Sequence, residues 1–179
     1  DMQTWADSRS AGIVRDMKKD PDLCRKFYER TGCPIHASYP LAKIIWLKTY
    51  QPDLFGQMKY VGSLKDYIFY NLTGEWVIDK STASTSGMYN ERTLSWDDEI
   101  LAYAGISKEY MPPVVSTTYS HALSDVAAAK LGLPKGLPVV IGATDGVLVN
   151  VGIGAVSAGQ LSATIGTSGA VRMLSITAV

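Results

Sequence analysis

The stretch Leu137-Pro-Val-Val-Ile-Gly-Ala-Thr-Asp-Gly146 constrains the fold of this chain more than any other. Val139–Ile141 has the composition of a buried strand, and Gly142 breaks it. Asp145 then stands at the start of an apolar helical run over about 145–155. Further on, Ala163-Thr-Ile-Gly-Thr-Ser-Gly169 is a small-residue turn between strand-like segments near 158–165 and 169–174. A strand that hands an acid to a helix start, followed by such a turn, fits phosphate chemistry. The acid handles a proton, and the turn's N–H groups hold anionic oxygens. Each half has a plainer reading. Asp is a favoured helix N-cap, and Gly-Thr-Ser-Gly is a common hairpin turn. The spacing leaves both pairs of readings open.

The rest of the chain supplies helices. Asp7–Asp20 has roughly helical spacing up to Pro21, and Asp22–Arg30 is a second short helix stopped by Gly32. Cys33–Ala37 is a loop; Ser38 can cap the next helix, with Pro40 in its first turn. That helix carries Lys43 on an otherwise apolar surface, where the side chain either reaches water or points into a cleft. Lys59–Gly62 is a strand candidate. Ser63-Leu-Lys-Asp66 is a capping box with Asp in place of Glu, and Gly74 ends its helix. Glu75–Ile78 reads as a strand and Asp79–Gly87 as a polar loop. Ser95–Asp98 caps a helix closed by Gly105, and Ser124–Gly132 is a short helix. Trp46, Tyr67, Phe69 and Tyr70 are expected in the core. His121 is expected at the surface. The whole is an α/β chain with a large helical part, and a composition change near Gly154 marks a second domain.

Composition excludes several classes. Seventeen basic residues balance seventeen acidic ones, which gives no support to nucleic acid or an anionic membrane as partner. No apolar run approaches the length of about 18 residues that spans a bilayer. Cys24 and Cys33 make neither a disulfide framework nor a metal-ligand pattern, and no protein-held metal is expected. A cytoplasmic setting follows as the default. Asn71-Leu-Thr73 is then a chance glycosylation match. Walker A, Gly-x-Gly-x-x-Gly and Gly-x-Ser-x-Gly patterns are missing, so P-loop, dinucleotide-binding and hydrolase readings lack support. The ends do not look natural, and a fragment of a longer protein is expected.

Trp5-Ala-Asp-Ser-Arg9 sets an acid and a base two apart beside an aromatic ring. The plain reading is a surface salt bridge and cap. The functional one is hydroxyl recognition, with Asp7 accepting from a sugar and Arg9 donating to it.

Together these segments resemble the FGGY family of carbohydrate kinases. The resemblance rests on Trp5-x-Asp-x-Arg9, on Thr31-Gly-Cys-Pro34 with Ser38-Tyr-Pro-Leu-Ala-Lys-Ile-Ile-Trp-Leu47, and on Asp66-Tyr-Ile-x-x-x-Leu-Thr-Gly74 with Asp79-x-Ser-x-Ala-Ser84. It is completed by Pro138-Val-Val-Ile-Gly-x-x-Asp145, Gly159 and Ile165-Gly-Thr-Ser168. It implies two actin-like, ribonuclease-H-like domains closing on a cleft. Residues 1–150 would be a sugar-binding first domain, and 151–179 the start of an ATP-binding second one. It makes Asp145 the general base, and Gly166, Thr167 and Ser168 the phosphate turn. Asp7, Arg9, His36, Ser38, Tyr39 and Gly146 would line or support the sugar pocket. ATP and Mg2+ are the implied cofactors, and the resemblance allows a homodimer.

The wording of Thr31–Lys48 is most similar to gluconate kinases, which implies conversion of gluconate to 6-phosphogluconate. Arg9, Lys43 or His36 would supply the cation for its carboxylate. Xylulose and glycerol kinases share the skeleton and are the alternative. An actin-like regulator that binds sugar or nucleotide without catalysis is another, and a structural α/β module a third. The family's Asp-x-Gly-Thr phosphate loop and its naming motif are missing from these residues, and Tyr50 stands where a polar residue is usual. The fragment alone is therefore expected to be inactive.

Overall fold

A computed structural model describes residues 3–166 and 169–175. The chain divides into two compact units, Asp1–Gly142 and Ala143–Val179.

The first unit opens with helices. They are α1 (Ala11–Met17), α2 (Pro21–Thr31), α3 (Pro40–Tyr50), α4 (Pro52–Gly56) and α5 (Leu64–Thr73). Their ends follow from local chemistry. The Asp20 carboxylate accepts from the Leu23 N–H at 2.9 Å, and Pro21 occupies the first helical position, where its missing N–H costs nothing. In the Ser63–Asp66 capping box, the Ser63 N–H donates to Asp66 at 2.6 Å and the Asp66 N–H donates to the Ser63 hydroxyl at 3.2 Å. Asp66 is wholly buried, and burial pushes its carboxyl up to about 6. Gly32, Gly74 and Gly105 end their helices with φ of 68°, 86° and 83°, backbone that a Cβ disfavours.

Short β pairs join the helices. Parallel β1 (Ile78–Asp79) and β4 (Val114–Val115) pair Ile78 with Val114. Antiparallel β2 (Tyr89–Asn90) and β3 (Ser95–Trp96) pair Tyr89 with Trp96. Between them lie α6 (Lys80–Ser84) and, after β3, α7 (Asp98–Ala104). Antiparallel β5 (Ser120–Ala122) and β6 (Pro138–Val140) flank α8 (Asp125–Leu131).

One apolar core runs from Ile13 and Met17 through Phe27, Leu41 and Ile44 to Met88, Ile100 and Leu101. Each such side chain contributes about 1.5–3 kcal/mol relative to exposure. Phe27, 1% exposed, sets its ring edge-on to Tyr103 with centroids 5.3 Å apart. Asp79 is fully buried. Burial pushes its carboxyl up, but bonds from Lys65, Ser81 and Thr82 outweigh this and leave it lowered.

Several local expectations are corrected. Lys59–Gly62 is not a strand; it is held by one bond, from the Val61 N–H to the Tyr110 carbonyl at 2.8 Å. The polar stretch after Asp79 coils into α6 because Asp79 accepts from the Ser81 and Thr82 N–H groups. Asp97, not Ser95, caps α7, and Ser95 joins β3 instead. Tyr39, not Ser38, is the N-cap residue of α3. Of the four aromatics expected in the core, only Phe69 is buried; Tyr67 and Tyr70 are exposed and Trp46 is half-buried. In β6, Val140 is 58% exposed, and burial resumes at Ile141, just past the strand.

The second unit holds α9 (Asp145–Gly152) and an antiparallel hairpin of β7 (Leu161–Ile165) and β8 (Gly169–Met173). The register pairs Ser162 with Arg172, Thr164 with Ala170, and Ile165 with Gly169. Alternation puts Ser162, Thr164, Ala170 and Arg172 on one hairpin face. The Ser162 hydroxyl, buried, donates to Asn150 Oδ1 of α9 at 2.5 Å.

Candidate functional site

In the first unit, two loops that are distant in sequence meet. The Ser10 hydroxyl, itself buried, donates to the Ala37 carbonyl at 3.1 Å. This joins the Trp5–Arg9 segment to the His36–Tyr39 loop. Asp7 and Arg9 form a two-point pair: Arg9 Nε lies 3.0 Å from Asp7 Oδ2, and Nη2 lies 2.6 Å from the same oxygen. The Arg9 N–H also donates to Asp7 at 3.0 Å. These bonds hold the Asp7 carboxyl down at about 2 and push Arg9 up. Arg9 is therefore paired with Asp7 through Nε and Nη2, and the pair offers a ligand both carboxylate lone pairs and the other guanidinium N–H groups.

Helix α3 fixes this segment from below. The Arg9 guanidinium sits over the Trp46 ring, 4.6 Å from its centroid. Lys43, three residues earlier and so on the same side of the helix, donates from Nζ to the Thr4 carbonyl at 2.5 Å. Burial lowers Lys43. Lys43 thus holds backbone rather than simply reaching for water. Trp5, between these anchors, is 80% exposed.

The His36 ring is set by its neighbours. The Ser38 N–H donates to Nδ1 at 3.2 Å, and the Ser38 hydroxyl lies 2.7 Å from the same nitrogen. With Nδ1 engaged by Ser38, Nε2 is the ring nitrogen left for a ligand, and the residue is exposed. Tyr39 packs its ring against His36 at 6.2 Å, and burial raises its hydroxyl. The Leu41 N–H bonds the Ser86 carbonyl at 3.2 Å, which seats the start of α3 on the Ser86–Gly87 turn. Gly87 suits this turn because its backbone is left-handed (φ +75°), a conformation that a Cβ disfavours. Asp7, Arg9, His36, Ser38 and Tyr39 therefore belong to adjoining loops. An open groove of about 320 Å³, lined by Lys80, Tyr89, Leu94 and residues 114–117, contains none of them.

In the second unit, Thr144 is the N-cap of α9 and Asp145 its first helical residue. The carboxylate of Asp145 is exposed and accepts from the Gly146 N–H at 2.7 Å. Asp145 is thus not the N-cap residue, but its carboxylate serves an N–H of the first helical turn. Gly166 follows β7 at the hairpin tip, while Thr167 and Ser168 lie outside the described residues. Among the described residues no cluster of three or more His, Cys, Asp or Glu could hold a metal ion. No helix there is long and apolar enough to cross a membrane. His121 is partly exposed, 3.8 Å from Glu75.

Sequence reasoning missed three side chains that matter here: Ser10, Trp46 as a support for Arg9, and Arg172. The Lys43-x-x-Trp46 spacing was the available signal for the second. The others carry none, because their partners lie 27 and 26 residues away.

Residues 1–152 match the model of the N-terminal domain of the FGGY family of carbohydrate kinases. The chain is 43% identical over 170 residues to a gluconokinase of Bacillus licheniformis, covering 94% of this chain and 33% of that protein. Gluconate kinase from Lactobacillus acidophilus superposes with a TM-score of 0.91 at 34% identity, over 95% of this chain and 35% of the other. A ligand-bound xylulose kinase from the same organism superposes with the same score, identity and coverage. The chain thus spans about a third of the length of the relatives it matches. It belongs to the FGGY family of carbohydrate kinases and carries that family's N-terminal domain and actin-like, ribonuclease-H-like fold.

Proposed function

We propose that the protein containing this chain is an ATP-dependent sugar-acid kinase that converts gluconate to 6-phosphogluconate. The observation that carries this is the 43% identity to a gluconokinase across nearly the whole chain. Asp7, His36 Nε2, Ser38 and Tyr39 bind hydroxyls of the acceptor, and Trp5 offers its ring face to C–H surface. Arg9 contributes by holding Asp7 ionised and aimed. Residues 1–150 serve as the sugar domain and 151–179 open the nucleotide-binding one.

Asp145 is the general base. It orients the acceptor hydroxyl and takes its proton as the oxygen attacks the γ-phosphorus, and the bond to the ADP oxygen breaks. The transition state is loose, so the proton leaves late and a carboxylate of ordinary basicity suffices. The Gly166–Ser168 turn holds phosphate oxygens. ATP supplies the phosphoryl group together with a divalent metal, for which Mg2+ is the natural choice because the phosphates themselves can carry it. The setting is cytoplasmic.

The test is a phosphorylation screen of the full-length protein against gluconate, xylulose, glycerol and related polyols with Mg-ATP. A preference for neutral polyols would overturn the substrate assignment. Xylulose is the second reading, favoured by the equal superposition on a xylulose kinase. Asp145→Asn should lower kcat by about 10²- to 10⁴-fold with acceptor affinity nearly unchanged. Near-normal turnover would remove Asp145 from the chemistry.

A further inference from the structure

A cation that the proposed mechanism does not use lies beside the residue that follows the base. An ideal Cβ built on Gly146 would stand 3.1 Å from Arg172 Nε and 3.7 Å from its Cζ. Glycine at 146 therefore leaves the space that the guanidinium fills, against the backbone at the start of α9. Arg172 reaches this place from β8, on the hairpin face whose Ser162 is bonded to Asn150 of the same helix. Its Nη1 donates to the Thr164 hydroxyl at 3.2 Å, which fixes the direction of the fork. The same hairpin carries Gly166 at its tip.

Arg9, Arg25 and Arg30 each hold a carboxylate. Among the described residues Arg15, Arg92 and Arg172 have no carboxylate partner; Arg15 and Arg92 are exposed, and Arg172 is half-buried. A guanidinium has five donors in a planar fork. One donor is used on a neutral hydroxyl, and a half-desolvated cation in this state favours an anionic oxygen.

We propose that Arg172 binds an anionic oxygen of the reactants at the Asp145 end of α9. Two sources share that chemistry: the carboxylate of the sugar acid, and the phosphoryl group in transfer. The inference rests on Asp145 being the base, since that places the reacting hydroxyl at this helix end. Arg172 then has a role for either anion, as a clamp on the acceptor or as compensation for charge on the transferring group. Thr164 is a positioning residue that acts through Arg172.

The experiment uses the full-length protein with Arg172→Gln and Arg172→Lys, each checked for an unchanged melting temperature. Gluconate and a non-hydrolysable ATP analogue are titrated by calorimetry, and kcat is measured with Mg-ATP. If the ligand is the carboxylate, Arg172→Gln weakens gluconate binding by about tenfold or more and leaves the nucleotide unaffected. If it is the phosphoryl group, kcat falls by about tenfold or more and both affinities hold. In either case Arg172→Lys recovers part of the loss. Arg172→Gln with kcat and both affinities within about twofold of the parent, beside an inactive Asp145→Asn, overturns the Arg172 assignment alone. Should Asp145→Asn remain active as well, the base assignment and this inference fall together.

Discussion

The two units hold their candidate site residues by different means. In Asp1–Gly142 the Asp7 and His36 loops rest on an apolar core that includes Met17, Phe27, Leu41 and Ile44. Side chains from α3 tie them down. In Ala143–Val179 the described side chains that are buried are Asn150, Ala155 and Ser162, while Ile165 is 92% exposed and Leu161 and Val171 are exposed too. There α9 is matched to the hairpin by the Ser162–Asn150 bond and by Arg172 against Gly146. Apolar burial is non-directional and fixes the first unit by shape. Within Ala143–Val179, α9 and the hairpin meet through a directional polar bond between Ser162 and Asn150.

The comparison can be broken at three points. The largest effect is expected in the first unit. Phe27→Ala should cost about 3–5 kcal/mol, read from urea unfolding of the full-length protein, because the cavity it leaves lies within the core. A cost under about 1 kcal/mol would mean that the core is not continuous there. Next, Ser162→Ala should cost about 1–3 kcal/mol, because Asn150 Oδ1 is left buried without a donor. Replacing both residues, as Ser162→Ala with Asn150→Leu, should restore much of that; no recovery would show that the bond does not set the register. The smallest effect concerns preorganisation. Trp46→Ala should raise the KM for the acceptor by about two- to fivefold with kcat held, since it removes the ring under Arg9. Trp46→Phe should recover most of it. An equal fall in kcat would point to a general loss of folding instead.

Local rules made much of this legible. The Ser63–Asp66 capping box and the glycine stops at 32, 74, 105 and 132 depend on atoms within about four residues, and all of them form. The antiparallel hairpin and the helix at Asp145 were readable for the same reason. Of the two-residue strands, β1 falls at the end of a stretch that reads as a strand, Glu75–Ile78, whereas β2 and β3 were not legible, because two paired residues carry little β signal of their own. Ser95 and Asp97 show the competition directly. Both are good caps, and pairing of Ser95 with Asn90 across the sheet decides which one the helix receives.

For the site, the sequence alone determined the residue types and their order: an aromatic, an acid and a base at 5–9, a polar loop at 36–39, an acid at a helix start and a small-residue turn. It also determined, by similarity, the family. The tertiary structure decided the state of those residues. Asp145 is the first helical residue rather than the N-cap, and its carboxylate accepts from the Gly146 N–H. Arg9 is paired with Asp7 through Nε and Nη2 and lies over the Trp46 ring. Arg172 arrives beside Gly146 only because the β7–β8 register turns it there. Charge and hydrogen-bonding capacity are written in residue identity, but which capacity remains unused depends on neighbours that only folding supplies.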